Sequence, residues 1–364
     1  MMKRRAILLA LAALAVRQPA SAETPGPASG VTTLRLHQML PADAAFTRLG
    51  LQAWARAVEQ DAGGRLRIEI HSGMELGGKP ADLYDQARDG TVDLSWVVLG
   101  YTPGRFPATT TFELPFMVRS ARATSQAFQS FCTLYCASAF GDVHVIAWHT
   151  HGPALIHASR PIASLDDLRG LRLRPGSAAI GQFLAAAGAT TLAMPATQVY
   201  EALRSGQIDA TTIPWSSEVN TSKPASDILH FHTAAGGPRG LYTQTFALVM
   251  NQAAYRRLPA PLRAVIDRHS GLAAARLFGQ AMDESDRLGR TAALAHGDRL
   301  ITLGPAETAR WRQAAQPVIA AWRTAMQARG LEAGRLLARA NALLDRAGRN
   351  EARHNEAQHN ESGR

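Results

Sequence analysis

The chain has 364 residues, 39 Lys+Arg against 29 Asp+Glu for a formal net charge of +10, and two cysteines. That length suits two domains with ample core, and so few cysteines exclude a disulfide-stapled scaffold. The basic balance does not point to nucleic acid: arginines are spread along the chain, often beside acids, with no aromatic–basic module, and a solvated basic surface that draws in anions is the plainer account.

Lys3, Arg4 and Arg5 precede an apolar run, Ala6 to Val16, that ends in the small residues Ala20, Ser21 and Ala22. This reads as a signal peptide cleaved after Ala22, since the run is too short to span a bilayer. Arg4-Arg5 leaves Sec and twin-arginine export both open. No later stretch is apolar enough for a membrane span, so an exported, soluble chain in the periplasm is expected.

"TLRLHQML" alternates and predicts a strand. From Phe46, Leu49, Ala53, Trp54, Ala57 and Val58 recur at helical spacing. "RLRIEI" is a half-buried strand, "ADLYDQARDG" a helix and "VDLSWVVLG" a buried strand. Strand–helix–strand–helix–strand order implies right-handed crossovers and a largely parallel sheet. A helix from about 121 to 140 and the strand "VHVIAW" close this unit. Cys132 and Cys136 lie four apart on that helix, where a disulfide and two packed thiols are both open.

"ALIHAS" leads into a second unit. It holds a short helix in "SLDDLRG", capped by Ser164 and stopped by Gly170, then the strand "LRLRPG", a helix, "TTLAM", the helix "TQVYEALRSG" and the strand "IDATTI". The strand "YTQTFALVMN" follows, then long Ala/Arg-rich helices to Asp345, broken by "RLITLG". The polar end "NEARHNEAQHNESGR" reads as disordered. Two α/β units in one exported chain imply two lobes with a cleft, the usual place for a small-molecule site. The fold class expected is α/β: a two-lobed periplasmic-binding-protein-like fold with an interlobe cleft and long C-terminal helices.

The segment "SLDDLRGLRLRPGSAAIGQFLAAAGATTLAMPATQVYEALRSGQIDATTIPWSSE" resembles the extracytoplasmic solute receptors of tripartite ATP-independent periplasmic (TRAP) transporters, the C4-dicarboxylate-receptor-like family. "SGMELGGKPADLYDQARDGTVDLSW" and "LYTQTFALVMNQAAYRRLPAPLRAVID" extend the resemblance over nearly the whole chain beyond the leader. The layout it implies is a signal peptide at 1–22, lobe I from 31–152 plus roughly 243–305, lobe II from 153–242, C-terminal helices from 306–348 and a disordered tail from 349–364. The partners it implies are a small organic carboxylate and two integral membrane transporter subunits, for a receptor without cofactor or catalysis and monomeric by default.

In the resemblance, the carboxylate-binding arginine ends the strand after "LRG", which is Arg174 here, while Arg172 faces solvent. A guanidinium matches a carboxylate through two parallel hydrogen bonds. Where relatives carry a polar residue before the proline of "IDATTIPW", this chain has Ile213, which argues against a sugar acid. A second basic residue is missing near Ala154, which favours a monocarboxylate. Trp215 is a candidate pocket wall, or else a core tryptophan. Trp96 and Tyr101 at a strand end, and Met39 at another, are candidate apolar walls; Tyr200 is expected to pack beneath the site, and Arg239 and Tyr242 to line the mouth.

Two other classes remain open. A ligand-sensing protein reporting to a membrane receptor would share every feature above. A metal-dependent exported hydrolase would draw on "HTH" (His149–His151) or "HFH" (His230–His232), which each set two imidazoles on one strand face. No acid or cysteine clusters beside them by spacing, and neither G-x-S-x-G nor H-E-x-x-H occurs.

Overall fold

Leu34 and Leu36 alternate with Thr33 and Arg35, so β1 (Thr32–His37) buries one face. The computed structural model describes residues 30–221 and 223–362, so the leader read at 1–22 lies outside the described residues. After β1 come α1 (Gln52–Asp61), β2 (Leu66–His71), α2 (Leu83–Arg88), β3 (Leu94–Val98), α3 (Ala121–Tyr135) and β4 (Val143–Thr150). β5 (Leu155–Ala158), β6 (Arg172–Arg174), α4 (Ala178–Ala186), β7 (Thr190–Thr191), α5 (Val199–Arg204), β8 (Ala210–Ile213) and β9 (Phe231–Ala234) follow. The chain then makes β10 (Thr245–Asn251), α6 (Gln252–Arg257), α7 (Ala260–Arg268), α8 (Leu272–Ala295), β11 (Arg299–Thr302), α9 (Pro305–Ala314), α10 (Gln316–Gln327) and α11 (Ala333–Ser362). No helix among the described residues is long and apolar enough to cross a membrane.

The strands form two sheets, β2-β1-β3-β10-β4 and β11-β9-β5-β8-β6-β7. The first is parallel through β2, β1 and β3, as the crossovers require, but β10 inserts antiparallel between β3 and β4. Each sheet carries its own hydrophobic cluster, one around Trp54, Trp96, Phe112, Phe128 and Phe278, the other around Leu173, Phe183, Tyr242 and Trp311.

Three segments cross between the sheets: residues 151–154, residues 235–244, and α8. α8 buries Ala274, Ala275, Phe278, Ala281, Met282, Ser285 and Gly289, a helical stripe that α3 and the 3-10 turn Trp215–Val219 cover. A Cβ on Gly289 would lie 2.0 Å from the Trp215 carbonyl oxygen, so only glycine permits that approach.

In two places the chain departs from the expected layout. The sequence layout sets "RLITLG" in the first lobe, yet β11 pairs in parallel with β9 and edges the second sheet. The polar end read as disordered continues α11 as helix to Ser362. Its Ala, Arg, Glu and Gln are good helix formers. Glu351 also pins it to the N-terminus of α3, accepting the Ser120 hydroxyl at 2.5 Å with Arg122 3.7 Å away. Cys132 and Cys136 are buried, free thiols.

Candidate ligand-binding site

β6 alternates Arg172 out, Leu173 into the core and Arg174 back toward the Arg172 face. The two arginines on one face have different fates. Arg172 is exposed and forks onto Asp209, with Nε 2.8 Å and Nη2 2.5 Å from its two oxygens. Arg174 is 1% exposed. Its Nε–H donates to the Met194 carbonyl at 3.0 Å and its Nη1–H to the Thr212 carbonyl at 3.3 Å. Its Nη2 is buried with no hydrogen-bond partner among the described residues, and no carboxylate there lies within ion-pair distance. A buried guanidinium facing only carbonyl dipoles, with one donor edge open, is costly unless an anion completes it.

The two crossing segments come near Arg174, whose charge acts on His151 of one and Tyr242 of the other. Tyr242 is fully buried, and its hydroxyl donates to the same Thr212 carbonyl at 2.7 Å. A Cβ on Gly176 would sit 1.9 Å from the Tyr242 hydroxyl, so the glycine of the Pro-Gly turn after Arg174 lets the 235–244 crossing segment pack against the end of β6. The Gln244 side-chain amide donates to the Gly176 carbonyl across the same gap. His151 accepts the Gln244 N–H at 3.0 Å on Nε2, so its proton sits on Nδ1 and is donated to the Gly152 carbonyl at 2.6 Å. Burial first, and the Arg174 charge beside it, push His151 down to about 4, so it stays a neutral ring at neutral pH. Burial likewise raises the Tyr242 phenol, which remains a hydroxyl.

Behind His151 lies an aromatic stack set by strand register. Phe246 pairs with His149 across β10–β4, and Leu248 pairs with Trp96 across β10–β3, so Phe246, His149 and Trp96 share a face. Trp96 stacks on Phe246 at 5.0 Å and 7°, and donates its indole N–H to His149 Nε2 at 2.8 Å. Phe246 in turn meets His151 at 5.9 Å, and His151 meets Tyr242 edge-on at 5.8 Å. The resulting surface is rigid and aromatic, with the Trp96 indole and both nitrogens of His151 hydrogen-bonded and the buried His149 Nδ1 left without a partner among the described residues.

The residues singled out from sequence distribute unevenly around Arg174. Tyr242 touches the site directly. Tyr101, half-buried just beyond β3, accepts the Ala196 N–H at 3.0 Å, a bond between lobes. Ile213 shares a sheet face with Arg174, because Arg174 pairs with Thr211. Its side chain packs with Val199, Ala202, Leu203 and Leu229, next to Met194. Trp96 sits one layer back, and the contacts leading from it to Arg174 run through Phe246, His151 and Tyr242. Met39 is buried in the first lobe's main core. Trp215 packs on His157 and His232 at 5.4 and 4.7 Å and also lines a separate hollow with Pro153 and Asp286 that Arg174 does not border. Arg239 donates to Asp345 of α11 at 2.8 Å, so its guanidinium is tied to the C-terminal helix and not to the mouth. His149 Nε2 and both nitrogens of His151 are committed to hydrogen bonds with Trp96, Gly152 and Gln244, and no metal-ligand cluster forms around the pair among the described residues.

Sequence reasoning missed Phe246, Gln244 and Thr212 as site residues and weighed His151 only as a metal ligand. It also missed Glu113, whose carboxylate accepts the Thr245 N–H and hydroxyl at 3.1 and 2.7 Å and is raised by burial. Only the tertiary fold brings these together: strand pairing for Phe246 and Thr212, the crossing segments for His151 and Gln244, and a 3-10 segment for Glu113.

Comparisons with known proteins identify the family and the fold. The model of the family described as "Bacterial extracellular solute-binding protein, family 7" matches residues 39–325. A solute-binding protein of a TRAP transporter from a marine metagenome, specific for aromatic acid ligands and solved with 3-hydroxybenzoate, is 37% identical at a TM-score of 0.85, covering 88% of this chain and 99% of that one. A TRAP solute-binding protein from Rhodoferax ferrireducens, solved with copurified benzoate, is 34% identical at a TM-score of 0.83 over 88% and 99% of the two chains. One from Bordetella bronchiseptica with bound (R)- and (S)-mandelate is 28% identical at a TM-score of 0.79 over 86% and 99%.

Proposed function

This chain belongs to the bacterial extracellular solute-binding proteins of family 7, the solute-binding proteins of TRAP transporters, and on that premise we propose that it captures a small aromatic monocarboxylate between its lobes. The observation that carries the reading is the open Nη2 edge of buried Arg174, whose charge reaches buried His151 and Tyr242, with Phe246 packed against His151. One cation without a carboxylate partner calls for one ligand carboxylate. An aromatic wall whose Tyr242 hydroxyl and His151 ring are already hydrogen-bonded favours a ring over a hydroxylated chain. The marine and Rhodoferax receptors, which hold hydroxybenzoate and benzoate, support the same choice.

In this reading the carboxylate docks on Arg174 and the ring rests against the crossing segments. Tyr101 to Ala196, Gln244 to Gly176, and Phe46 N–H to Asn220 at 2.9 Å then latch the lobes. Ligand contacts with both lobes favour the closed state by population shift. Release to two integral membrane subunits completes a cycle in which no bond is broken, and the chain acts from the periplasm. A monomer suffices, since one chain supplies both walls.

The test is a thermal-shift series with benzoate, 3-hydroxybenzoate, mandelate, succinate and glucuronate. A ligand at a hundred times its Kd adds about 2.7 kcal/mol to the native state. Aromatic monocarboxylates are expected to raise the melting temperature, and succinate and glucuronate to leave it unchanged. The reverse order would overturn the proposal.

A further inference from the structure

The "HFH" segment has a use that ligand capture does not absorb. β9 and β11 run in parallel with Phe231 beside Arg299, which sets His230 next to Asp298. His296 caps the C-terminus of α8, two residues before Asp298. The Asp298 carboxylate is buried, and one of its oxygens, Oδ1, is 3.0 Å from His230 Nδ1 and 3.0 Å from His296 Nδ1. Both imidazoles are about half exposed, at 50% and 58% of the side chain, and they open toward solvent. One ligand atom from each residue lies within 4.8 Å of the others. The other carboxylate oxygen, Oδ2, accepts His232 Nε2–H at 3.0 Å inside the core.

We propose that His230, His296 and Asp298 form a surface site for a borderline divalent cation, with zinc the best match. Two imidazoles and one carboxylate are donors zinc takes, with Zn–N and Zn–O near 2.1 Å. Ligand atoms at that radius and a tetrahedral angle stand about 3.4 Å apart. The two 3.0 Å separations therefore need a few tenths of an ångström of adjustment, and the exposed rings are free to make it. On metal binding each imidazole moves its proton from Nδ1 to the solvent-facing Nε2, and water fills the remaining positions. His232 supplies the outer-shell hydrogen bond that orients a metal-ligating carboxylate. The ion would fasten the end of α8 to the edge of the second sheet. Four strand spacings separate β11 from β6 and Arg174, about 19 Å, so metal and organic ligand are separable.

The test is zinc titration of the full chain by calorimetry, with cobalt(II) visible absorption as a second readout, against His230→Asn/His296→Asn. Both substituted side chains are exposed, and equal melting temperatures in EDTA establish that the variant folds. One equivalent of zinc is expected to bind the parent chain, with affinity at least tenfold weaker in the variant and the cobalt band lost. His354 and His359 are present in both proteins and cancel. Undiminished binding by the folded variant, or none by the parent chain at 0.1 mM zinc on the order used for weak sites, would overturn the proposal.

Discussion

Replacing Arg174 by methionine isolates the charge, because the two side chains share an unbranched apolar stem. In the ligand-free protein the guanidinium gives up hydration for two carbonyl contacts and one open edge. Removing it therefore deletes about as much penalty as bonding, and the melting temperature of the ligand-free variant should stay close to that of the parent. The complex differs, since its carboxylate would be left buried without a counter-charge. Breaking a buried pair in this way costs about 3–5 kcal/mol, which is between about a hundredfold and a few thousandfold in Kd. Titration calorimetry with benzoate reads the loss directly. A folded Arg174→Met protein that binds within threefold of the parent would refute the reasoning, whatever the ligand's ring contacts.

Tyr101→Phe removes one interlobe hydrogen bond worth about 0.5–1.5 kcal/mol, so affinity should fall about two- to tenfold with the ligand-free melting temperature unchanged. Unchanged affinity would show that the bond does not latch the closed state. Asp286 on α8 accepts the Ser216 N–H at 2.6 Å, and burial lifts its carboxyl from 3.8 to about 7. A folded-state value above the unfolded one means the native protein keeps the proton longer, so this group's contribution to stability is fully present below about pH 4 and is lost as pH rises through about 7. A shift of that size corresponds to about 4 kcal/mol at most, and less here because the residue is only half-buried. Asp286→Asn should flatten that slope in chemical denaturation, leaving the smaller contribution of Asp283, which burial lifts to about 6; an unaltered slope would contradict the assignment. Both thiols, Cys132 and Cys136, should react with a thiol reagent only in denaturant. Labelling of the native protein would contradict their burial.

Local pattern carried a good deal of this fold. Alternation at Leu34 and Leu36, helical spacing from Phe46, and the Ser164 and Gly170 punctuation each reported a physical constraint that acts within a few residues. Arg174 was reached through the resemblance, not the pattern, since β6 presents Arg172 on the same face. What separates them is Asp209 beside one and the crossing segments over the other. Residues brought in by long-range pairing were not legible. Phe246 and His149 meet Trp96 only because β10 inserts between β3 and β4. Asp298 reaches His230 only because β11 joins the second sheet. Trp215 and Arg239 are held away from Arg174 for the same reason, each having a partner, α8 for one and Asp345 for the other, that lies far along the chain.

A crystal structure of the chain with an aromatic acid tests the central claim most directly. The account requires the carboxylate to lie within hydrogen-bonding distance of Arg174 Nη2 with the ring against Tyr242, His151 or Phe246. An acid lodged instead in the roughly 740 Å³ hollow between Pro153, Trp215 and Asp286, with the Arg174 edge still unpaired, would contradict it.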